Sequence, residues 1–202
     1  MALLNLKIPE QNFEIVRDRL ALILADEIAA QAAIAPLTPE LDATVHLERF
    51  VPFSQVDMPC VNVVFASGSY DNQNAKTVDG LYKYNIDVYA KAKSTSTDGG
   101  DKLASIKLHS ILGICRAILE SPQYRTLGLA APSLQRVTVV DINVEEPKNT
   151  QDGSSVIMGR LTFDVSVCEG VQLQIANNIA GWETSVEMDE TDTGYKFSKV
   201  IV

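Results

Sequence analysis

Apolar residues near the start of the chain recur at intervals of three and four positions. The positions concerned are Phe13, Val16, Leu20, Ile23, Leu24 and Ile28. This period places them on one face of a helix, and most of the charged residues between them fall on other faces. The pattern predicts an amphipathic helix over residues 10–33, which ends before Pro36 and Pro39.

Three strand-like segments follow this helix. Residues 45–53 read as an irregular strand, and residues 60–66 are almost continuously apolar. In residues 82–90 apolar and polar positions alternate, which is typical of a strand with one buried face. The intervening residues 66–80 are polar and rich in turn formers, so they are predicted to form a loop.

A second helix and a hairpin complete this part of the chain. Residues 91–100 form a Ser/Thr/Gly-rich loop, and Asp101 is the predicted N-cap of a broadly apolar helix over residues 102–120. Residues 137–144 and 157–167 are then two strands of a hairpin with a long polar tip. The element order predicts an α+β fold, with a mixed, mainly antiparallel sheet carrying both helices on one face.

The pattern changes after residue 169. Residues 1–169 are predicted to form the α+β domain and residues 170–202 a β-rich C-terminal extension, with strands at 184–188 and 195–202. Neither face of the last strand is a clean core pattern, so we expect it to add to the exposed sheet edge of a neighbouring subunit. Tyr195, Phe197 and Ile201 share one face of it and are the predicted assembly interface. The competing interpretation is a hairpin that closes its own sheet.

Composition limits the classes of function. Of the 202 residues, 46% are hydrophobic and 21% charged, and the net charge is −9, with no basic run. These proportions are those of a globular protein. A general nucleic-acid binder needs a basic stripe to neutralise phosphates, and anionic lipid attracts the same kind of surface. The sequence therefore argues against both, and with no signal peptide or membrane span it predicts synthesis and folding in the cytoplasm.

Residues that commonly carry chemistry are scattered along the chain. Cys60, Cys115 and Cys168 form no CxxC pair and lie in apolar runs, so three buried, reduced thiols are expected. His46 and His109 stand in no recognisable motif. No catalytic, cofactor-binding or metal site is predicted, and a non-enzymatic protein without a cofactor is expected. An enzyme with an unfamiliar site of Asp, Glu and Tyr residues stays an open alternative.

Two weaker signals have ordinary structural explanations. Residues 98–101 read Asp-Gly-Gly-Asp at the start of a helix, a place where anions bind, but the two aspartates would repel a phosphate. Tyr70, Tyr82, Tyr84 and Tyr89 suggest a base-stacking surface, but the positive groove that such surfaces need is lacking. Strand propensity accounts for these tyrosines.

The order of elements resembles the tail terminator family of long-tailed bacteriophages and the related neck and tail-completion proteins. The likeness covers residues 10–169 and rests on the helix at 13–28, the strands at 59–64 and 82–90, the helix at 103–119 and the hairpin at 137–167. It implies a non-enzymatic subunit of a ring, typically hexameric, that caps the tail tube and contacts the head-side connector.

The resemblance also implies a location and partners. The expected location is the tail–neck junction of the virion, after assembly in the host cytoplasm, with DNA only as passing cargo and no membrane contact. Residues 170–202 exceed the family pattern. Two other interpretations stay open, namely another neck or head–tail joining protein and a small ligand-binding or regulatory module.

Overall fold

The computed structural model describes residues 10–34, 43–49, 58–74, 77–129, 134–149, 153–169, 182–186 and 197–201. Helix α1 spans Asn12–Ile34 and helix α2 spans Gly100–Glu120, which confirms both predicted helices within two residues at each end. A short 3-10 helix, Pro122–Tyr124, follows α2.

The start of α2 differs from the prediction. The N-cap is Gly99, with no side-chain cap hydrogen bond, and Asp101 lies in the first turn instead of at the cap. The backbone N–H of Gly100 donates to the Ser94 hydroxyl at 3.0 Å. A side chain from the preceding loop therefore satisfies one of the free N–H groups at this helix end, and the predicted cap at Asp101 is wrong.

Six strands form the main sheet, and two more pair separately. Their bounds are β1 (Thr44–Leu47), β2 (Cys60–Asn74), β3 (Thr77–Lys93), β4 (Leu134–Val144), β5 (Lys148–Asn149), β6 (Ser154–Cys168), β7 (Trp182–Val186) and β8 (Phe197–Ile201). The main sheet has the order β1-β2-β3-β6-β4, and the short β5 also pairs with β6. Only the β1–β2 pair is parallel among the described pairs, so the predicted α+β fold with a mainly antiparallel sheet is confirmed.

Residues 66–74 and 77–80 of the predicted loop instead belong to the paired strands β2 and β3 of a long β-hairpin. Tyr70 stands opposite Gly80, Asp71 opposite Asp79, and the ladder between β2 and β3 continues to Asn74 and Thr77. The loop prediction was wrong because it relied on polar composition, whereas backbone pairing between β2 and β3 holds this segment. Strand β3 also pairs with β6 from Asp79 to Lys93, so a third strand supports the hairpin along most of β3.

Both helices pack on one face of the sheet. Helix α1 lies against β1 and β2, and α2 against β3, β6 and β4. Gly159 of β6 leaves room for α2, since a Cβ added there would lie 2.6 Å from Leu112 Cδ1. Apolar residues with less than 2% exposure form the centre of this core: Leu20, Leu24, Tyr82, Tyr84, Ile86, Leu108, Ile111, Leu161 and Phe163.

The first predicted strand, the predicted hairpin and the two C-terminal strands each have a counterpart in the structure. The first strand is shorter than predicted, since β1 ends at Leu47 and residues 50–57 lie outside the described residues. The predicted hairpin of residues 137–144 and 157–167 is confirmed as β4 and β6, with β5 in its tip. The two predicted C-terminal strands correspond to β7 and β8, which pair with each other in a separate two-stranded sheet.

Candidate functional site

The sheet face opposite the helices carries a row of polar residues that crosses five strands. Aligned positions in the register place His46, Asn62, Asp87, Arg160 and Asn143 side by side on β1, β2, β3, β6 and β4. The strand neighbours of Asn62 and Asp87 belong to the core on the other face, as the alternation of a strand requires. We call this set the polar row.

Strong hydrogen bonds hold the centre of the polar row. Arg160 donates from Nε to Oδ1 of Asp87 at 2.6 Å and from Nη2 to Oδ2 at 2.8 Å. Asn62 accepts from the backbone N–H of Arg49 at 3.0 Å and donates to its carbonyl at 2.9 Å. Asp87 is only 5% exposed, so its charge is buried but fully paired, which is the condition under which buried charges are tolerated.

These contacts shift the titration of two groups. The hydrogen bonds to Asp87 raise the pKa of Arg160 above its ordinary value. Burial, followed by the nearby Asp87 charge, raises the pKa of Tyr89. Both shifts make the groups harder to deprotonate, so neither residue is prepared to act as a base or a nucleophile near neutral pH. At the centre of the polar row, Asn62 and Asp87 are buried and bonded within the chain, so these residues stabilise the sheet.

Strand β4 forms one edge of the described sheet, with β1 at the other, and exposes apolar side chains. Val140, Ile142 and Val144 are 52%, 38% and 44% exposed, respectively. Among the described strands β4 pairs only with β6, so no described strand pairs with its other side. Val140 is the extra residue of a β-bulge between Val139 and Asp141. We call these three aliphatic residues and the free strand edge the β4 edge; such an edge is a template for pairing with another strand.

A small cleft lies between the C-terminal half of α2 and α1. Its volume is about 240 Å³, and its lining includes Glu27, Ile114 and Tyr124. The Tyr124 hydroxyl donates a short hydrogen bond to Glu27 Oε1, and this bond raises the pKa of Tyr124. Pockets that enclose a drug-sized ligand have volumes of roughly 300–1,000 Å³. The cleft is therefore smaller than an ordinary small-molecule site.

A wider, open depression lies at the start of α2. Its volume is about 660 Å³, and Ser94, Gly100, Asp101 and Glu146 are among the residues that line it. Two acidic side chains at this helix end oppose the binding of a phosphate, which agrees with the sequence-based interpretation of residues 98–101 as an ordinary helix start.

The predicted chemistry-bearing residues are not brought together. Cys60 and Cys115 are buried as expected, whereas Cys168 is half-buried at the end of β6, so the prediction of a third buried thiol is wrong. His46 lies in β1, with Nε2 at 3.2 Å from Arg49 Nη1. His109 lies on the exposed side of α2.

The four tyrosines do not form one surface. Tyr82 and Tyr84 are in the core, where the Tyr84 hydroxyl donates to the carbonyl of Phe13 at 2.8 Å. Tyr70 is exposed on the β2–β3 hairpin and packs edge-on against Tyr82, and Tyr89 is half-buried on the other face. The alternation of residues 82–90 explains why Tyr82 and Tyr84 point to the core, as strand propensity suggested.

The predicted assembly interface is described in part. Tyr195 lies outside the described residues, and Phe197 and Ile201 begin and end β8, opposite Val186 and Trp182 of β7. The pairing of β7 with β8 shows a hairpin, as the competing interpretation held, but among the described strands this hairpin does not extend the main sheet.

The sequence-based reasoning missed the polar row and the β4 edge. The signals for them were indirect: Asp87 and Arg160 are polar positions in two strands with a regular alternation, and 73 residues separate them. For the β4 edge, the sequence pattern of Val140, Ile142 and Val144 is that of a strand with a buried face. Only the sheet order shows that these side chains lie at an edge, where α2 leaves them exposed.

Comparison with models of known protein families and with curated proteins found no match for this chain. Within the described residues, no three His, Cys, Asp or Glu side chains are close enough to hold a metal ion. None of the described helices combines the length and apolar character that crossing a bilayer requires.

Proposed function

We propose that the chain is a non-enzymatic structural protein of a long-tailed bacteriophage, a tail terminator that forms a ring at the tail–neck junction. The observation that carries this proposal is the β4 edge, where Val140, Ile142 and Val144 are exposed on an outer strand. A subunit that works by assembly must present apolar surface and free strand edges to its neighbours. An enzyme instead needs a concave site with matched reactive groups.

The fold and the charge support the same proposal. The element order of helix, strands, helix and hairpin is the one on which the family resemblance rests, and both helices back one face of the sheet. The net charge of −9 suits a channel through which DNA passes without sticking, because acidic walls repel phosphates. In this role the ring caps the tail tube and joins it to the head-side connector.

The alternatives receive less support. A small ligand-binding module needs a pocket, and the α1–α2 cleft of about 240 Å³ is below the usual range of roughly 300–1,000 Å³. The depression of about 660 Å³ at the start of α2 is within this range, but it is open, whereas ordinary ligand sites enclose most of the ligand. Another neck or head–tail joining protein would use the same kind of exposed edge. The two kinds of protein are therefore distinguished by the virion component that the ring binds.

The first experiment measures assembly of the purified full-length chain. Light scattering after size exclusion, at low and high concentration, is expected to give a particle of about six times the 22.0 kDa subunit mass. Negative-stain images of the same fractions are expected to show closed rings with a central opening. A protein that stays monomeric at every concentration contradicts the proposal.

The second experiment separates a tail terminator from other joining proteins. Purified rings are mixed either with tail tubes or with head-side connectors from the same virus. A terminator is expected to cap one end of the tubes and stop their growth. Rings that bind connectors and leave tubes uncapped indicate another joining protein, and saturable binding of a small molecule by the monomer indicates a ligand-binding module.

A further inference from the structure

In the C-terminal hairpin, four of the six register positions that share one face are apolar in the sequence. In its register Trp182 stands opposite Ile201 and Val186 opposite Phe197. Alternate residues of a strand belong to the same face, so these four residues share one face of the ribbon, with the Thr184–Lys199 pair between them. A two-stranded ribbon is marginally stable in water by itself and needs a third strand or a packing surface.

The β4 edge offers what this ribbon needs. No described strand pairs with its outer side. Ile142 and Val144 stand opposite Leu161 and Gly159, so they are on the same sheet face as the helices. A strand added here gains a hydrogen-bonded neighbour, and its apolar positions can be placed beside the exposed aliphatic residues of the β4 edge.

Charge identifies which strand of the ribbon faces the β4 edge. Residues 195–202, which include β8, contain two lysines and no acidic residue, whereas β7 contains Glu183 and residues 187–192 contain four acids. The receiving stretch, residues 141–146, contains Asp141, Glu145 and Glu146, of which Glu145 is paired with Lys148 at 3.6 Å. Opposite charges on paired strands favour pairing and like charges oppose it, so β8 suits this edge and β7 does not.

We propose that β8 of one copy pairs with the β4 edge of a second copy, extending the sheet to the order β1-β2-β3-β6-β4-β8-β7. This inference rests on the proposed ring, and it names the two surfaces that build it. Each copy then has one donor hairpin and one acceptor edge, which makes a head-to-tail interface, and such an interface gives a ring when the rotation between neighbouring copies closes. Main-chain hydrogen bonds supply affinity, and Phe197 and Ile201 supply register.

Two full-length variants test the two halves of the interface. Ile142→Lys places a charge on the acceptor edge, and the double variant Phe197→Asp, Ile201→Asp makes the donor face acidic toward an acidic edge. Each alone is expected to stay folded by circular dichroism and to raise the concentration needed for ring formation about tenfold or more. Ile106→Lys, at an exposed aliphatic position of α2, is the matched control and is expected to form rings normally.

The decisive measurement mixes the two variants in equal amounts. The Ile142→Lys chain keeps an intact donor hairpin, and the double variant keeps an intact acceptor edge. One working interface can therefore form between one chain of each kind. The expected product is a heterodimer of twice the 22.0 kDa subunit mass, with nothing larger. Should Ile142→Lys lose its fold, Val140→Lys at the bulge replaces it, because an extra residue there is outside the ladder.

Three results would overturn the assignment. Rings formed normally by Ile142→Lys show that assembly uses another surface, and the ring itself then stands. Absence of a heterodimer in the mixture shows that the hairpin does not join two copies through the β4 edge. If the wild-type chain never forms rings, both the proposed function and this inference are rejected. This result comes from the wild-type protein alone, so it is distinguishable from a failure of the variants.

Discussion

Arg160 and Asp87 are 73 residues apart in the chain, and they form a bidentate ion pair across two neighbouring strands. The two nitrogen–oxygen distances are 2.6 and 2.8 Å, and the carboxylate is almost completely buried although its sheet face carries no described helix. Two parallel bonds to a planar guanidinium fix both side chains in one geometry. This pair therefore ties β3 to β6 on the face opposite the core.

Removing the arginine of this pair is expected to destabilise the protein. Arg160→Ala leaves Asp87 as an unpaired buried carboxylate, which typically costs roughly 3–5 kcal/mol when both partners are buried. Because the Arg160 side chain is 42% exposed, solvent screens part of the loss, and we expect about 2 kcal/mol. Urea unfolding followed by circular dichroism measures the change.

A surface ion pair provides the control for Arg160→Ala. Arg116 pairs with Glu120 one helical turn away, and both side chains are about half exposed. Arg116→Ala is expected to cost less than about 0.5 kcal/mol, as is usual for such pairs. Equal losses from Arg160→Ala and Arg116→Ala would contradict the assigned importance of the buried pair.

The sequence predicted the helices and the regular strands but not the contacts between them. Helical and strand periods are local signals, which is why α1, α2 and residues 82–90 agree with the structure. The Asp87–Arg160 pair depends on the register between strands that are far apart in the chain. The hairpin of residues 66–74 and 77–80 was missed because backbone pairing, not apolar alternation, holds it.

The candidate site was the least predictable part of the molecule. The C-terminal strands were found from their pattern, yet their receiving surface depends on which strand ends the sheet. Strand order put β4 outside β6, and α2 does not extend over Ile142 and Val144. Neither fact has a local signature in the sequence, so the β4 edge emerges only from the assembled sheet.

Gly159 is expected to be required for close packing of α2 on the sheet. A Cβ at this position would lie 2.6 Å from Leu112 Cδ1 and 3.2 Å from Leu108 Cδ2. Gly159→Val forces the helix or these leucines to shift, and overpacking of this kind costs roughly 1–3 kcal/mol. Thermal unfolding is expected to show a lower Tm by about 2–9 °C.

The control for Gly159→Val is a glycine of α2 that has open space around it. Gly113 lies on the exposed side of α2, with open space where a Cβ would be added. Gly113→Ala is expected to stabilise the protein by about 0.5–1 kcal/mol, since alanine favours helix over glycine. If Gly159→Val keeps the wild-type Tm, the tight contact between α2 and β6 is wrong.

The three cysteines are expected to differ in reactivity with iodoacetamide. Burial raises the pKa of the Cys115 thiol to about 12, so the reactive thiolate is scarce at pH 8. Cys60 is also buried, whereas Cys168 is half-buried at the end of β6. Mass spectrometry of the native protein is expected to show Cys168 modified first and the others protected until denaturant is added. Early modification of Cys115 would contradict its placement in the core.

Glu169 is expected to make stability depend on pH. Its Oε1 is buried without a hydrogen-bond partner among the described residues, and Asn12 donates to Oε2 at 3.2 Å. Burial raises the pKa of Glu169 above the usual 4.5, the Asn12 bond opposing this in part. The folded chain therefore holds this proton to higher pH than the unfolded chain, and stability is lost as pH rises through the folded pKa. Glu169→Gln is expected to raise Tm by about 1–3 °C at pH 7 and by less below pH 4.5.

Glu146→Gln, at an exposed position, is the control and is expected to change Tm by less than about 1 °C. An unchanged or lower Tm of Glu169→Gln at pH 7 would show that the buried carboxylate carries no penalty.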